Sequence, residues 1–200
     1  FLKKEDFEYL SSVNLKKIGR NDVKVYHNSI DKEDKTNCEC IDDEKIKNFQ
    51  KNYHSIALNL LEELSPEKKK LYEFSEFHII ETGADYSFPI HDDIPNKLLS
   101  GVIYLKPEEN TGTIFYDNKK GDGKQEIQWK PNRAVFFSRK ERETWHSYKG
   151  DGKNNRIALV YNLMTNDVKS VYKIEKKSYF LGQIREKLNP YLHRYLNKII

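Results

Sequence analysis

The chain has 200 residues, with 35 basic against 31 acidic side chains (net charge +4), 37% hydrophobic and 12% aromatic content. That length fits one domain, and charges so evenly mixed disfavour a nucleic-acid footprint, which needs basic residues gathered on one face. No apolar run reaches the ~18–20 residues of a membrane helix, and only two cysteines, Cys38 and Cys40, point to a reducing, cytoplasmic setting.

In chain order, the first 75 residues are polar and mostly helical in pattern. Val23 to Tyr26 suggests a short strand, and the acidic stretch from Asp31 to Asp43 reads as loop. Its two cysteines are read as reduced surface thiols, since a bridge one residue apart would close almost no chain. Ile46, Phe49, Tyr53, Ile56, Ala57, Leu60 and Leu61 recur at spacings of three and four, one apolar stripe on a helix of about 18 residues. Ser65-Pro66 starts a second short helix through Tyr72 or Phe74. The runs Lys68-Lys69-Lys70 and Lys176-Lys177 read as solvated faces. The chain begins at Phe1 rather than Met, which fits removal of an N-terminal segment.

The pattern changes at Phe77. Candidate strands are Phe77–Glu81, Tyr86–His91, Leu98–Leu105, Thr113–Tyr116, Gln125–Trp129, Ala134–Ser138, His146–Tyr148 and Arg156–Leu163, divided by turn signals such as Gly121-Asp122-Gly123. Short strands at this spacing suggest a sandwich or barrel. Leu181, Ile184, Leu188, Leu192, Tyr195, Leu196 and Ile199 form a closing helical stripe, with Pro190 as a kink. The expected organisation is one domain over 1–200: helical support (1–76), a β core (77–164) and a C-terminal helical segment (165–200).

One constellation carries chemistry. Residues two apart on a strand share a face, so His91 and Asp93 project into one cavity while Asp92 points away. His146 opens a later strand, which barrel closure can bring opposite the first pair. Two imidazoles and one carboxylate suit iron and leave three coordination positions open. His27, His54, His78 and His193 are read as ordinary surface or core residues. Arg156 shares its strand face with Ala158, Val160 and Asn162, and an inward, buried guanidinium requires an anion. A ligand carboxylate supplies one in a bidentate pair. The Gly-bearing segments Thr82–Pro89 and Asp117–Lys124 are candidate lids.

Residues 77–164 resemble the core of the Fe(II)/2-oxoglutarate-dependent dioxygenases, specifically the prolyl-hydroxylase-like group. The resemblance rests on His91-Asp92-Asp93-Ile94-Pro95 with Gly101-Val102-Ile103-Tyr104-Leu105, and on Thr111-Gly112-Thr113-Ile114-Phe115. It continues through Asn132-Arg133-Ala134-Val135-Phe136-Phe137-Ser138 to Trp145-His146 and Arg156. It implies a mostly β fold, a double-stranded β-helix (jelly-roll, cupin-like) braced by N- and C-terminal helices. It implies His91, Asp93 and His146 as Fe(II) ligands, Arg156 on the distal carboxylate of 2-oxoglutarate, and Tyr104 on the same carboxylate. O2 is then the second cosubstrate, succinate and CO2 are coproducts, and ascorbate is an optional reductant. The carboxylate of Asp93 favours hydroxylation over halogenation. Glu81-Thr82-Gly83 departs from the group's Tyr-x-x-Gly, and Glu81 is read as an outward strand residue. The substrate, a small molecule or a protein side chain, and the oligomeric state are not set by the sequence. Two alternatives stay open: a cupin-type metal enzyme without 2-oxoglutarate, and a non-catalytic β-barrel binding module.

Overall fold

Two antiparallel sheets face each other, and helices cover the outer side of the larger one. The computed structural model describes residues 1–196, except for the side chains of His193 and Leu196. Ile199 and the side chains of His193 and Leu196, all part of the readings above, therefore lie outside the described residues. The elements are α1 (Lys4–Ser12), β1 (Val23–Tyr26), β2 (Asn28–Asp31), β3 (Thr36–Cys38), α2 (Asp43–Leu64), α3 (Pro66–Lys69), β4 (Phe74–Thr82), β5 (Ser87–His91) and β6 (Lys97–Lys106). After these come β7 (Ile114–Tyr116), β8 (Gln125–Glu126), β9 (Ala134–Phe137), β10 (Trp145–Lys149), β11 (Arg156–Met164), α4 (Val168–Ile174) and α5 (Tyr179–Leu196). The large sheet runs β3-β2-β4-β11-β6-β9, with β1 also on β4, and the small sheet runs β5-β10-β7-β8. This is the expected jelly-roll architecture.

All eight strands expected beyond residue 76 are present, with shifted ends. Gln125–Trp129 shrinks most, because only Gln125 and Glu126 keep a ladder to β7. The strand read at Val23 to Tyr26 is present as β1, but the reading of the first 75 residues as mostly helical is corrected: β2 and β3 also join the large sheet, and β4 already begins at Phe74. Part of the acidic loop is thus strand. The cause is one buried side chain. Asn28 Oδ1 accepts the backbone N–H groups of Glu39, Cys40 and Ile41, and its Nδ2 donates to the carbonyls of Tyr26 and Phe77. A polar sequence is held in the sheet by hydrogen bonds rather than by apolar alternation. Both cysteines are free, Cys38 exposed and Cys40 half-buried.

The α2 stripe forms as read. Ile46, Phe49, Tyr53, Ala57 and Leu61 are buried, although Ile56 faces solvent. They pack on the outer face of the large sheet, where Phe49 meets Phe77 and Phe77 stacks on Tyr161 at 4.5 Å. Each large buried side chain contributes about 1.5–3 kcal/mol. Gly101 lets β6 carry this layer, since a Cβ there would meet the Phe136 ring at 2.3 Å. The outer face being filled, the pleat sends Ile80, Thr82, Ser100, Val102, Arg156, Ala158 and Val160 toward the small sheet, where they line one cavity.

Lys68 corrects the reading of its run as solvated. It is 2% exposed and its ammonium lies 2.7 Å from Glu175. On α5, Leu181, Ile184 and Leu188 face solvent. No helix among the described residues is long and apolar enough to cross a membrane.

Replacing Asn28 with Ala leaves several buried backbone groups without partners, each costing about 1–3 kcal/mol. The expected result for Asn28→Ala is a loss of at least ~3 kcal/mol, read as a lower urea midpoint at unchanged slope.

Candidate metal centre

His91 ends β5 and His146 is the second residue of β10, and the two are direct cross-strand partners. They are neighbours on adjacent strands of the small sheet, rather than residues brought opposite each other by barrel closure. Their rings lie 4.2 Å apart. Each ring turns Nδ1 to the carbonyl two residues back in its own chain, Pro89 for His91 and Thr144 for His146, both at 3.0 Å. A carbonyl only accepts, so Nδ1 carries the proton and Nε2 keeps its lone pair for a metal.

Asp93 reaches the same point by a different route from the one expected. The strand stops at His91, and residues 92–94 belong to the loop before β6. Strand alternation therefore does not place the carboxylate; side chains from β6 do. Lys97 Nζ donates to Oδ1 at 2.8 Å and Ser100 Oγ to Oδ2 at 2.5 Å. Asp92 does turn away, toward Arg142 and Arg185. Ligand atoms of His91, Asp93 and His146 all lie within 4.8 Å of one another, the one such group of His, Cys and carboxylates among the described residues. His27, His54 and His78 stand apart from it: His27 and His78 pack edge-on, and His54 lies on Tyr72.

Burial pushes the His91 imidazole down to about 3, and the neighbouring His146 adds to the effect. Burial would raise Asp93, but the Lys97 ammonium and the two imidazoles outweigh it and hold the carboxyl below its usual range. At neutral pH His91 is neutral and Asp93 ionised, the forms that bind a metal.

The three residues line a cavity of about 480 Å³ shared with Arg156. Arg156 is 7% exposed, and its guanidinium lies 3.9 Å from the Tyr148 ring centre, 5.3 Å from Trp129 and 5.5 Å from Tyr104. Among the described residues it has no ion pair, and its Nε is without a hydrogen-bond partner. Every other Arg buried to this degree here, Arg139 and Arg185, faces carboxylates. Aromatic faces attract a cation by about 0.5–2 kcal/mol, while an uncompensated buried charge costs several. No carboxylate among the described residues pairs with Arg156, and a ligand carboxylate fits that gap.

Tyr104 is fully buried and stacks on Trp129 at 4.3 Å. Its hydroxyl donates to Thr113 Oγ1 at 3.0 Å and accepts the Thr113 backbone N–H at 2.8 Å. Thr113 rather than Tyr104 lines the cavity, with its Oγ1 accepting from Tyr104. Glu81 points to the other face of β4, as read, but is buried there against Asn155. The segment after Thr82 is pinned rather than lid-like: Gly83 and Asp85 donate to the carbonyls of Asp22 and Arg20. A Cβ on Gly83 would lie 2.3 Å from the Arg20 carbonyl oxygen.

Sequence reading missed Lys97, Ser100, Thr113, Trp129 and Tyr148. Tyr148 was within reach, being two residues past His146 on the same strand. Trp129 gives no local signal, because it sits beyond β8 and is fixed by donation to the Pro107 carbonyl at 2.7 Å.

No family model and no curated protein matches the sequence. Among solved structures, the chain is similar to a prolyl-4-hydroxylase from Pseudomonas putida, with TM-score 0.54 and 14% identity over 83% of this chain and 89% of that one. It is also similar to a 2OG-Fe(II) oxygenase family oxidoreductase from Burkholderia pseudomallei, with TM-score 0.51 and 15% identity over 80% and 76%. Likeness at these identities shows the fold.

The low His91 value fixes a sign. Unfolded, that imidazole takes a proton near pH 6.5; folded, it refuses one until about 3. The stabilisation is full above 6.5 and is lost as pH falls through that window. Half-buried His54, lowered by burial, acts in the same direction. Metal-free protein should therefore lose stability between pH 7 and 4, and His91→Gln should flatten that slope in denaturation series.

Proposed function

We propose that the chain is an Fe(II)- and 2-oxoglutarate-dependent dioxygenase that hydroxylates a small molecule or a protein side chain, with succinate and CO2 as coproducts. The observation that carries this reading is the buried, anion-less Arg156 in the cavity that also holds His91, Asp93 and His146. A metal site alone fits many enzymes. A metal site with a waiting guanidinium fits a bound acid that also reaches the metal. Similarity in fold to a prolyl-4-hydroxylase and to an oxygenase supports the reading but does not fix chemistry.

In this proposal His91 and His146 hold iron through Nε2 and Asp93 through its carboxylate, with Lys97 and Ser100 setting the carboxylate plane. Bound Fe(II) would supply dioxygen activation coupled to oxidation of 2-oxoglutarate. Arg156 pairs with the distal carboxylate, confined by Tyr148, Trp129 and Tyr104. Tyr104 acts on that carboxylate through Thr113, whose hydroxyl it orients. Apolar walls, among them Ile80, Phe88, Val102 and Phe137, exclude water from the reacting centre. The cosubstrates are 2-oxoglutarate and O2, with ascorbate as a reductant that maintains Fe(II). A cupin-type enzyme that does not use 2-oxoglutarate leaves Arg156 unexplained, and a non-catalytic module leaves the metal set unexplained as well.

Mn(II) with 2-oxoglutarate should stabilise the protein in a thermal melt by about 2.7 kcal/mol at a hundredfold excess over Kd. Stabilisation by metal but not by 2-oxoglutarate would favour the cupin-type alternative; no response to either would favour the module. A panel of amino acids, peptides and lipids should contain a compound that stimulates succinate formation, and His146→Ala should abolish that turnover while the fold persists. Arg156→Ala should raise the 2-oxoglutarate requirement roughly 30-fold or more, as expected for ~2 kcal/mol lost at a buried charge pair, with metal affinity unchanged. Equal loss of both affinities would count against the assigned role.

A further inference from the structure

Asp93 stands in a loop with no sheet ladder to hold its backbone, yet that backbone is fixed by a group far away in sequence. Arg139 is fully buried, and its Nε donates to the Asp93 carbonyl at 3.0 Å. Its Nη1 lies 2.6 Å from Glu175 Oε2, and its Nη2 lies 3.6 Å from Glu141 and 4.0 Å from Asp92. Glu175 caps the end of α4 and also accepts the Lys68 ammonium and the Glu141 backbone N–H. Lys68 donates in turn to the Arg139 carbonyl. From α5, Arg185 approaches Asp92 at 3.5 Å and Glu141 at 3.1 Å, and the Arg142 N–H donates to Asp92 at 2.9 Å.

Three cations (Lys68, Arg139, Arg185) face three carboxylates (Asp92, Glu141, Glu175), so the cluster closes without net charge. Burying six charges is a poor route to stability, since apolar residues of equal volume usually do as well. What the cluster does that apolar packing cannot is aim a hydrogen bond at the Asp93 carbonyl while setting two guanidinium groups 3.5 and 4.0 Å from the carboxylate of the preceding Asp92.

We propose that Arg139 is a positioning residue for Asp93, and that the ion cluster on α3, α4 and α5 exists to hold Arg139. The inference rests on the reading of His91, Asp93 and His146 as a metal centre. Asp93 is thereby gripped on both sides, its carboxylate by Lys97 and Ser100 and its carbonyl by Arg139. Partners behind metal ligands typically set affinity by 10–100-fold.

Co(II) alone is the probe, titrated by its visible absorption into the full chain. The key variant removes one charge of each sign, Arg139→Met with Glu175→Gln, so that the amide oxygen still accepts from Lys68 and the Glu141 N–H. The expected result is Co(II) affinity lowered about 10–100-fold with an altered ligand-field spectrum, and a cooperative melt close to that of the wild type. Arg185→Gln, at the edge of the cluster, should give a smaller loss in the same direction. His146→Ala is the control for the centre itself. Wild-type Co(II) affinity and spectrum in either cluster variant, alongside weak binding by His146→Ala, overturns the role of Arg139 alone. Absence of Co(II) binding by the wild type, or binding unaffected in His146→Ala, takes down the metal centre and this proposal with it.

Discussion

The pairing of His91 with His146 across β5 and β10 is the constraint on which the rest of the site depends. Register in a sheet moves in whole residues, and a slip of one would send an imidazole to the opposite face. The ladder therefore fixes both rings at once, and each ring is then fixed in tautomer by a carbonyl of its own strand. Asp93 has no such ladder. Its geometry depends on side chains, Lys97 and Ser100 in front and Arg139 behind. The candidate centre is thus half backbone-determined and half side-chain-determined.

Burial of charge takes two contrasting forms in this molecule. Around Arg139 every cation meets a carboxylate and the cluster is self-contained. Around Arg156, among the described residues, stand the rings of Tyr148, Trp129 and Tyr104, and its Nε has no hydrogen-bond partner. The first has its carboxylates in place without a ligand, although Arg139 Nη2, Glu141 Oε2 and Arg185 Nε and Nη1 have no hydrogen-bond partner among the described residues. The second has no carboxylate partner among the described residues, which is the difference that the proposed role of Arg156 rests on.

How much was legible in the sequence depended on whether a signal was local. The α2 stripe and the eight later strands follow from periodicity and turns, and the structure has them. The candidate ligands followed from spacing, although the reason given for Asp93 held only as far as His91, where the strand ends. The strands β2 and β3 were hidden because Asn28 replaces the apolar alternation that a reader looks for. Lys68 misled for the opposite reason: its partner Glu175 is 107 residues away, and nothing near a lysine run announces a distant carboxylate. Trp129 and Arg139 also act on partners distant in sequence, 22 and 46 residues away at Pro107 and Asp93, which pattern reading does not see.

The candidate metal ligands His91 and His146 belong to the small sheet, whereas Arg156 belongs to the large one. A five-carbon diacid reaching from metal to guanidinium would act as a strut between the layers. Its chain length would then gauge the thickness of the sandwich at that level. Shorter or longer diacids should be discriminated less by their charge than by the spacing that the helix-backed sheet refuses to change.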